Sequence, residues 1–328
     1  MINIYHGDVL DLYETWERPN CIISDGPYGV NGFPGDPRNV NDLPNIYEPH
    51  IMAWSKFALP NTTLYFWNTE IGWATVHPIL LKNGWEYRGC NIWDKGINHI
   101  AGNCNGQTMK KFPVVTEVCV HYIKNVYLTC NDGIDRSIQD WFRYEWKRTG
   151  LSFSITNEIC GVKSAATRKY FTSDDLFYPP PWETFMTIIE YANKHGDPNG
   201  FPYFEIKPKP SFKHNIDMNI KEKYLNLITK KFNFEYGVSN VWNIPAVRGI
   251  ERIKNGSKSV HLNQKPLILM DRIIKSSTDV GDVVWEPFGG LFSASISAYN
   301  NGRNAFAAEI NENFFHIGKE RINLLMNS

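Results

Sequence analysis

The chain has no net charge to offer: its 328 residues carry 34 Lys and Arg against 34 Asp and Glu. Any attraction to a polyanion must come from a local excess. Long apolar runs are missing too. None approaches the roughly 18 to 20 residues that a membrane span needs, so no transmembrane helix is expected. The first residues, Met1-Ile2-Asn3-Ile4-Tyr5, lack the basic start and apolar stretch of a signal peptide and read as a strand. Cysteine is sparse, with six scattered residues and neither a C-x-x-C pair nor a zinc spacing. A reducing, cytoplasmic setting without a metal is the expectation. G-x-G-x-x-G is absent, which disfavours a pyrophosphate-binding dinucleotide site and an α/β dehydrogenase. There is no internal repeat and no low-complexity tract.

What is present is apolar and aromatic: 42% hydrophobic and 14% aromatic, with eleven Trp and sixteen Tyr. That is enough for a substantial core in one large domain or two ordinary ones. Residues 1–125 alternate short apolar runs with helical stretches. The strand candidates are Ile2–Tyr5, Cys21–Ser24, Thr63–Trp67, Tyr87–Trp93 and Val114–Tyr122. Helices are expected over Tyr47–Leu59 and Ile71–Asn83, the second stopped by Gly84. Residues 126–260 change character, with Pro clusters at 179–181 and 208–210 and helical patterns at Ser137–Arg148, Glu183–Lys194 and Lys221–Phe232. Basic residues outnumber acidic ones there, 19 to 15 over residues 130–260. Residues 261–328 return to α/β character, with helix, strand, Gly turn, helix, strand and a final helix. The two ends read as parts of one sheet, split by an inserted, mainly helical domain.

Three constellations carry chemistry. Asp25-Gly26-Pro27-Tyr28 follows the apolar run Cys21-Ile22-Ile23, where a buried strand ends. In open α/β sheets, ligands bind outside the carboxyl ends of strands. A carboxylate, a turn and an aromatic ring held there suit a planar base with an exocyclic amine. The acid and a turn carbonyl accept the amine hydrogens while the ring stacks. The polar stretch Asn31–Asn45 follows directly and reads as a long loop, a candidate lid or a plain surface loop. The second constellation is Trp285-Glu286-Pro287-Phe288-Gly289-Gly290: a strand, a Gly turn and a helix start at Ser293. Glycines let the backbone approach a ligand, and the helix start supplies N–H donors. Glu309 ends the next strand, about 20 residues on, where an acid can accept from ribose hydroxyls. The third is Gly7-Asp8 at the end of the first strand. Asp8 can accept from an adenine amine or simply cap a turn.

Together these segments resemble the amino-group DNA methyltransferases that use S-adenosylmethionine. The family hallmark, Asp/Asn/Ser-Pro-Pro-Tyr/Phe, is matched by Asp25-Gly26-Pro27-Tyr28. Its Phe-x-Gly-x-Gly loop is matched in part by Phe288-Gly289-Gly290, and its Gln-Lys-Pro helix start by Gln264-Lys265-Pro266 within 261–266. Trp93-Asp94-Lys95 and Glu117 also stand where family members carry similar residues. The order is similar to that of the β group, of restriction-modification type. The resemblance implies a class I methyltransferase, a Rossmann-like doubly wound sheet, circularly permuted. It implies catalytic roles for Asp25, Gly26, Pro27 and Tyr28, and cofactor contacts from Asp8, Gln264, Lys265, Glu286, Phe288, Gly289, Gly290, Ser293 and Glu309. It implies S-adenosylmethionine as methyl donor, no metal, double-stranded DNA as substrate, a restriction endonuclease as candidate companion, and a monomer or homodimer. Two positions depart from the pattern. Gly26 replaces the first Pro. Phe292 follows Leu291 where a second Gly is usual, and it must either pack away from the cofactor or crowd its methionine end.

Within the insertion, residues 154–170 resemble a helix-turn-helix. A first helix ends at Cys160, Gly161 makes the turn, and a second helix presents Lys163, Ser164, Arg168 and Lys169 outward. Such a helix can lie in a major groove. Asn157 and Thr167 stand where apolar residues are common. The expected activity is therefore transfer of a methyl group to an exocyclic amine, adenine N6 by the leading Asp, with cytosine N4 as the alternative. Ring-carbon methylation needs a Cys nucleophile, typically after Pro, and the chain has no Pro-Cys pair. A non-catalytic helix-turn-helix DNA-binding protein is the competing class.

Overall fold

The computed structural model describes residues 1–328 except 33–34, 101–104, 175, 208–218, 229–231, 234, 249–250, 256–257, 261–263 and 327–328. In chain order its strands are β1 (Ile2–His6), β2 (Cys21–Ser24), β3 (Thr63–Asn68), β4 (Trp85–Asp94), β5 (Thr116–Lys124), β6 (Tyr127–Thr129), β7 (Asp135–Ser137), β8 (Val241–Asn243), β9 (Lys254–Asn255), β10 (Lys258–Ser259), β11 (Val283–Glu286) and β12 (Asn304–Glu309). Its α-helices are α1 (Leu43–Phe57), α2 (Glu70–Lys82), α3 (Ile138–Arg148), α4 (Ile155–Ile159), α5 (Trp182–His195), α6 (Ile220–Leu227), α7 (Leu267–Ser277), α8 (Ser293–Asn300) and α9 (Glu312–Met326). Two compact units result: Met1–Lys124 with Lys231–Ser328, and Asn125–Lys230.

The first unit is built on an eight-stranded sheet in the order β1-β12-β11-β2-β3-β5-β4-β8. The run β1 to β3 is parallel throughout. β5 runs antiparallel to both of its neighbours, and β8 lies parallel to β4 at the edge. Parallel strands are buried on both faces, so they read as continuous apolar runs; Cys21-Ile22-Ile23 is such a run. Alternation along it sends Ile22 to one core and its neighbours to the other. On one face, Tyr47, Ile51 and Trp54 of α1 and Val76 and Leu80 of α2 cover Ile22, Leu64 and Phe66. On the other, Leu269, Met270 and Ile273 of α7 and Ala294 of α8 cover Cys21, Ile23 and Val284.

Boundaries differ from the sequence expectation at several places. α1 begins at Leu43, inside the stretch read as a loop, with Pro44 in the first turn. Proline fits there because its missing N–H has no intrahelical partner to lose. The insertion, expected to run to 260, gives way earlier: residues from 231 belong to the first unit. The cause is the short strand β8, whose Trp242 pairs with Trp93 and packs on Trp67. Three residues are too few to announce a strand by alternation.

The second unit surrounds an aromatic core. Trp141, Phe142 and Trp146 of α3 pack with Phe185 and Ile188 of α5 and Tyr224 of α6. β6 and β7 form a small antiparallel pair. The helix expected over Lys221–Phe232 ends at Leu227, and the Pro208–Pro210 cluster lies outside the described residues.

Candidate active site

After β2 the chain moves outward to β3; after β11 it moves the other way, to β12. The strand order reverses between β2 and β11, and that is where open α/β sheets form a crevice. A cavity of about 260 Å³ lies here, lined by Asp25 to Tyr28 after β2, Glu286 to Gly290 at the end of β11, Glu309 of β12 and Asp8 after β1. All thirteen residues expected to act in catalysis or cofactor contact line this one cavity. Segments more than 250 residues apart in sequence therefore meet across a single pocket.

The Asp25 corner rests on a buried charge cluster. Lys265, its side chain 2% exposed, donates to Asp25 Oδ1 at 2.7 Å and lies 3.2 Å from Glu117 Oε2. It also donates to the Tyr28 hydroxyl at 3.1 Å. Lys95 bonds the other oxygen of Glu117. Two ammonium groups thus balance two carboxylates. Burial opposes the charge on Glu117, but Lys265 and Lys95 outweigh it and lower the pKa to about 2. Burial opposes the ammonium of Lys265 as well, and Asp25 and Glu117 still hold its pKa above the ordinary lysine value. The ammonium sits among the rings of Tyr28, Trp67 and Trp93, 5.1 to 5.8 Å from their centroids.

Tyr28 contributes a fixed ring. Its hydroxyl lies 2.9 Å from Asp25 Oδ1 and 3.0 Å from Glu117 Oε2 and can donate its one hydrogen to either. Burial, then the two carboxylate charges, push the phenol pKa far up, so the hydroxyl stays protonated. Asp36 holds the following turn: its two oxygens accept the N–H groups of Tyr28, Gly29, Val30 and Gly32 at 2.7 to 3.1 Å. Within the motif the carbonyls are not equivalent. The Pro27 carbonyl accepts from Tyr47 Oη and Asn68 Nδ2, both at 2.9 Å. Both of its lone pairs are engaged, whereas no described donor reaches the Gly26 carbonyl or Asp25 Oδ2. Glycine at 26 has a local reason: a Cβ there would lie 2.7 Å from the Phe288 ring and from the Tyr47 hydroxyl.

Across the cavity, several expected cofactor residues are engaged with the protein itself. Glu286 accepts from the N–H groups of Ala294 and Ser295 at 3.0 and 2.8 Å and from the Ser295 hydroxyl at 2.6 Å. It therefore caps α8, and these helix-start donors, expected to face a ligand, are taken. Burial raises its pKa to about 7 against those hydrogen bonds. Glu309 bridges the Gly turn to its own loop, accepting from Gly290 and Asn311 N–H at 2.7 Å each. Burial raises its pKa as well. Asp8 caps a short turn through Leu10 N–H at 2.9 Å. The Gln264 amide bonds the backbone at Ile253 and Glu251. The Ser293 hydroxyl accepts from Arg321 at 3.0 Å. Phe292 packs away from the cavity, fully buried among Ile296, Ala307 and Ile322. Its ring fills the space left by two glycines: a Cβ on Gly289 or Gly318 would fall within 2.5 Å of it.

The structure also shows contacts that the sequence did not signal. Lys265 bonds the Asp25 corner, although the sequence placed it with the cofactor. Lys95 and Glu117, noticed in the sequence only by resemblance, complete that cluster. His50, Met270, Asn311 and Phe314 line the cavity and were not anticipated. His50 was hidden because it continues the apolar spacing of Tyr47, Ile51 and Trp54 and reads as core. Residues 261–263, before Gln264, lie outside the described residues.

In the second unit, the stretch 154–170 has the expected first helix, α4, and a turn at Gly161 with φ +64°. The expected second helix is corrected by the structure: Ala166–Tyr170 form a single π-helical turn, not a regular α-helix. Lys163, Ser164, Arg168 and Lys169 are exposed. The two departures from the usual pattern bond each other: Thr167 N–H donates to Asn157 Oδ1 at 3.2 Å, and Asn157 Nδ2 donates to Thr167 Oγ1 at 3.3 Å.

Comparison with known proteins adds an independent line. The chain is 33% identical over 247 residues to the type II methyltransferase M2.MboI of Moraxella bovis, a stretch covering 70% of this chain and 88% of that protein. It is 34% identical over 94 residues to the DNA adenine methyltransferase YhdJ of Escherichia coli, where the match spans 28% of this chain and 30% of that protein. Among solved structures, the M1.HpyAVI–SAM complex superposes with a TM-score of 0.50 at 15% identity, covering 98% of this chain and 100% of that one. The cytosine-N4-specific PvuII DNA methyltransferase does so with a TM-score of 0.51 at 10% identity, covering 98% and 86%. These two likenesses are of fold. The model of a family described as DNA methylase matches residues 20–320, and with the Asp25 corner and the Gly289-Gly290 turn facing one cavity, the chain belongs to that N6/N4 DNA methylase family.

Proposed function

We propose that this protein transfers a methyl group from S-adenosylmethionine to the exocyclic amine of a flipped base in double-stranded DNA, adenine N6 in the first instance. The observation that carries the reading is the meeting of the two distant corners in one cavity. Adenine is favoured by the Asp that leads the motif and by the adenine methyltransferase among its relatives. Cytosine N4 is the alternative. The type II methyltransferase among those relatives supports a restriction-modification role, and an endonuclease companion is proposed with it.

The sheet order supports a circularly permuted class I methyltransferase. β1 pairs with β12 although they stand at opposite ends of the chain. The cofactor fits the residues present: acids end β12 and follow β1 on adjacent strands, and a Gly turn lies beside Glu309. When bound, it supplies an electrophilic methyl group on a sulfonium. The chain's own task is to prepare the nucleophile. An aromatic amine is a poor one because its lone pair is delocalised into the ring. Asp25 Oδ2 and the Gly26 carbonyl are the two acceptors left open, and together they can hold both amine hydrogens and free the lone pair. Asp25 is then the acceptor for the hydrogen the amine sheds. Preorganised acceptors of this kind, with positioning, account for the acceleration.

A base within a duplex is out of reach and must be flipped into the cavity. Tyr28, its hydroxyl tied down, offers the ring for stacking, worth about 1–3 kcal/mol per base. The second unit is assigned to target recognition, with Lys163, Ser164, Arg168 and Lys169 as its DNA-contact candidates. The test is to express the protein in cells lacking DNA methylation and to sequence their DNA with a method that sees amino-methylated bases. A modified adenine at a fixed site is expected, and it should vanish with Asp25→Ala while S-adenosylmethionine binding persists. Unmodified DNA in cells that hold folded wild-type protein refutes the reading.

A further inference from the structure

His50 is a buried residue on α1 that no step above uses, yet its ring lines the cavity. Its Nδ1 lies 3.0 Å from the Tyr13 hydroxyl, and that hydroxyl accepts the indole N–H of Trp54 at 2.8 Å. An indole nitrogen only donates, so the Tyr13 oxygen is already an acceptor and has one hydrogen left to give. Among the described residues, His50 Nδ1 is the acceptor within reach. Burial lowers the His50 pKa to about 4 and raises that of Tyr13, so both rings are neutral at pH 7. A neutral imidazole that accepts at Nδ1 carries its hydrogen on Nε2. Trp54 and Tyr13 therefore fix the tautomer, and the Nε2–H has no partner among the described residues.

The neighbours of His50 define what that donor meets. Asp8 lies close enough for its charge to act on His50, and the Phe288 ring packs edge-on against the imidazole at 4.9 Å. A fixed donor and a carboxylate acceptor thus share one wall. Asp8 follows β1, three strands from β2 in the sheet, roughly 14 Å from the Asp25 corner at the usual strand spacing. That is the far end of the cavity from the reacting methyl, beyond Glu309 on the intervening β12. Resting on the proposed function, in which Asp8 is the expected acceptor for the amine of the cofactor's base, we propose that His50 reads the same base, its Nε2–H donating to the ring nitrogen beside that amine. A 6-oxo purine reverses both groups, placing N–H against N–H and a carbonyl against a carboxylate.

The test is calorimetric binding of S-adenosylhomocysteine and its deaminated counterpart, S-inosylhomocysteine. Wild-type protein is expected to prefer the amino form at least tenfold. His50→Phe should weaken the amino form about tenfold and change the oxo form less than threefold. His50→Gln can accept from Tyr13 and still donate, and it should bind the amino form within about threefold of wild type. Thermal melting establishes that each variant is folded. Equal weakening of both ligands means that His50 addresses another part of the molecule, such as the amino-acid carboxylate, and overturns the proposal. No weakening of either also overturns it. Wild-type protein that binds neither ligand refutes the cofactor reading itself, a distinct result.

Discussion

Replacing Lys265 by Met removes the ammonium that three acceptors share and keeps a side chain of similar length. In the wild type, Lys265 lies within 3.2 Å of both Asp25 and Glu117; Lys265 and Glu117 are nearly closed to water, and Asp25 is partly open to the cavity. Its loss leaves two carboxylates against the single ammonium of Lys95. Breaking a buried pair by deleting one partner costs about 3–5 kcal/mol, because the remaining charge is uncompensated. The wild-type pH dependence follows from Glu117, whose pKa falls from 4.5 to about 2 on folding. A depressed carboxylate stabilises the fold above its unfolded pKa, and the contribution drains away as pH falls through about 2. A shift of that size corresponds to about 3 kcal/mol.

In Lys265→Met the folded-state pKa of Glu117 rises as its larger partner is lost, so protonation relieves the repulsion at a higher pH. The variant should therefore be destabilised by about 3–5 kcal/mol at pH 8 and by clearly less at pH 5, measured by urea denaturation. Methyl transfer should fall about 100-fold or more, since Asp25 loses its orienting partner. Affinity for S-adenosylhomocysteine should change less than threefold, because the ammonium faces the Asp25 corner and not the Gly turn. Equal destabilisation at both pH values refutes the electrostatic account. A large loss of affinity with transfer intact returns Lys265 to the cofactor.

Glu286 acts with the opposite sign. Its folded-state pKa is raised from 4.5 to about 7, so its contribution is complete below pH 4.5 and lost as pH rises through 7, about 3 kcal/mol in all. Urea denaturation from pH 5 to pH 8 should show that decline in the wild type and a flatter profile in Glu286→Gln; parallel profiles refute the assignment. Gly26→Ala forces a methyl group to 2.7 Å from the Phe288 ring and the Tyr47 hydroxyl. A cost of about 1–3 kcal/mol is expected, partly recovered by adding Phe288→Leu. An Ala variant as stable as the wild type would show that the turn yields without strain.

Position was far more legible in the sequence than role. Asp25, Glu286 and Glu309 close or follow short apolar runs that can only be strands, and parallel strands place such ends along one rim. Their convergence on a cavity needs no contact information beyond the sheet order. Roles depend on partners far away in the chain. Nothing near Lys265 says that it reaches Asp25, 240 positions earlier, or that Glu117 waits beside it. Glu286 looked available to a ligand because a strand-end carboxylate is the same in sequence whether it faces a pocket or caps the next helix. His50 was masked for the converse reason: a polar residue in helical register with Tyr47 and Trp54 reads as core, and only the Tyr13 hydroxyl shows which nitrogen is free to donate.

The stretch 154–170 carries the point further. Asn157 and Thr167 each count against a helix-turn-helix when judged singly, since each puts a polar group where two helices usually meet through apolar contact. In the fold they satisfy each other, so neither leaves a half-buried polar group unpaired. The directional contact also accompanies a change of shape, because the second element is one π turn. Position-by-position reading registers two penalties; the molecule contains one interaction. Wherever two departures lie about ten residues apart across a glycine turn, their chemistry has to be weighed as a pair before the motif is discounted.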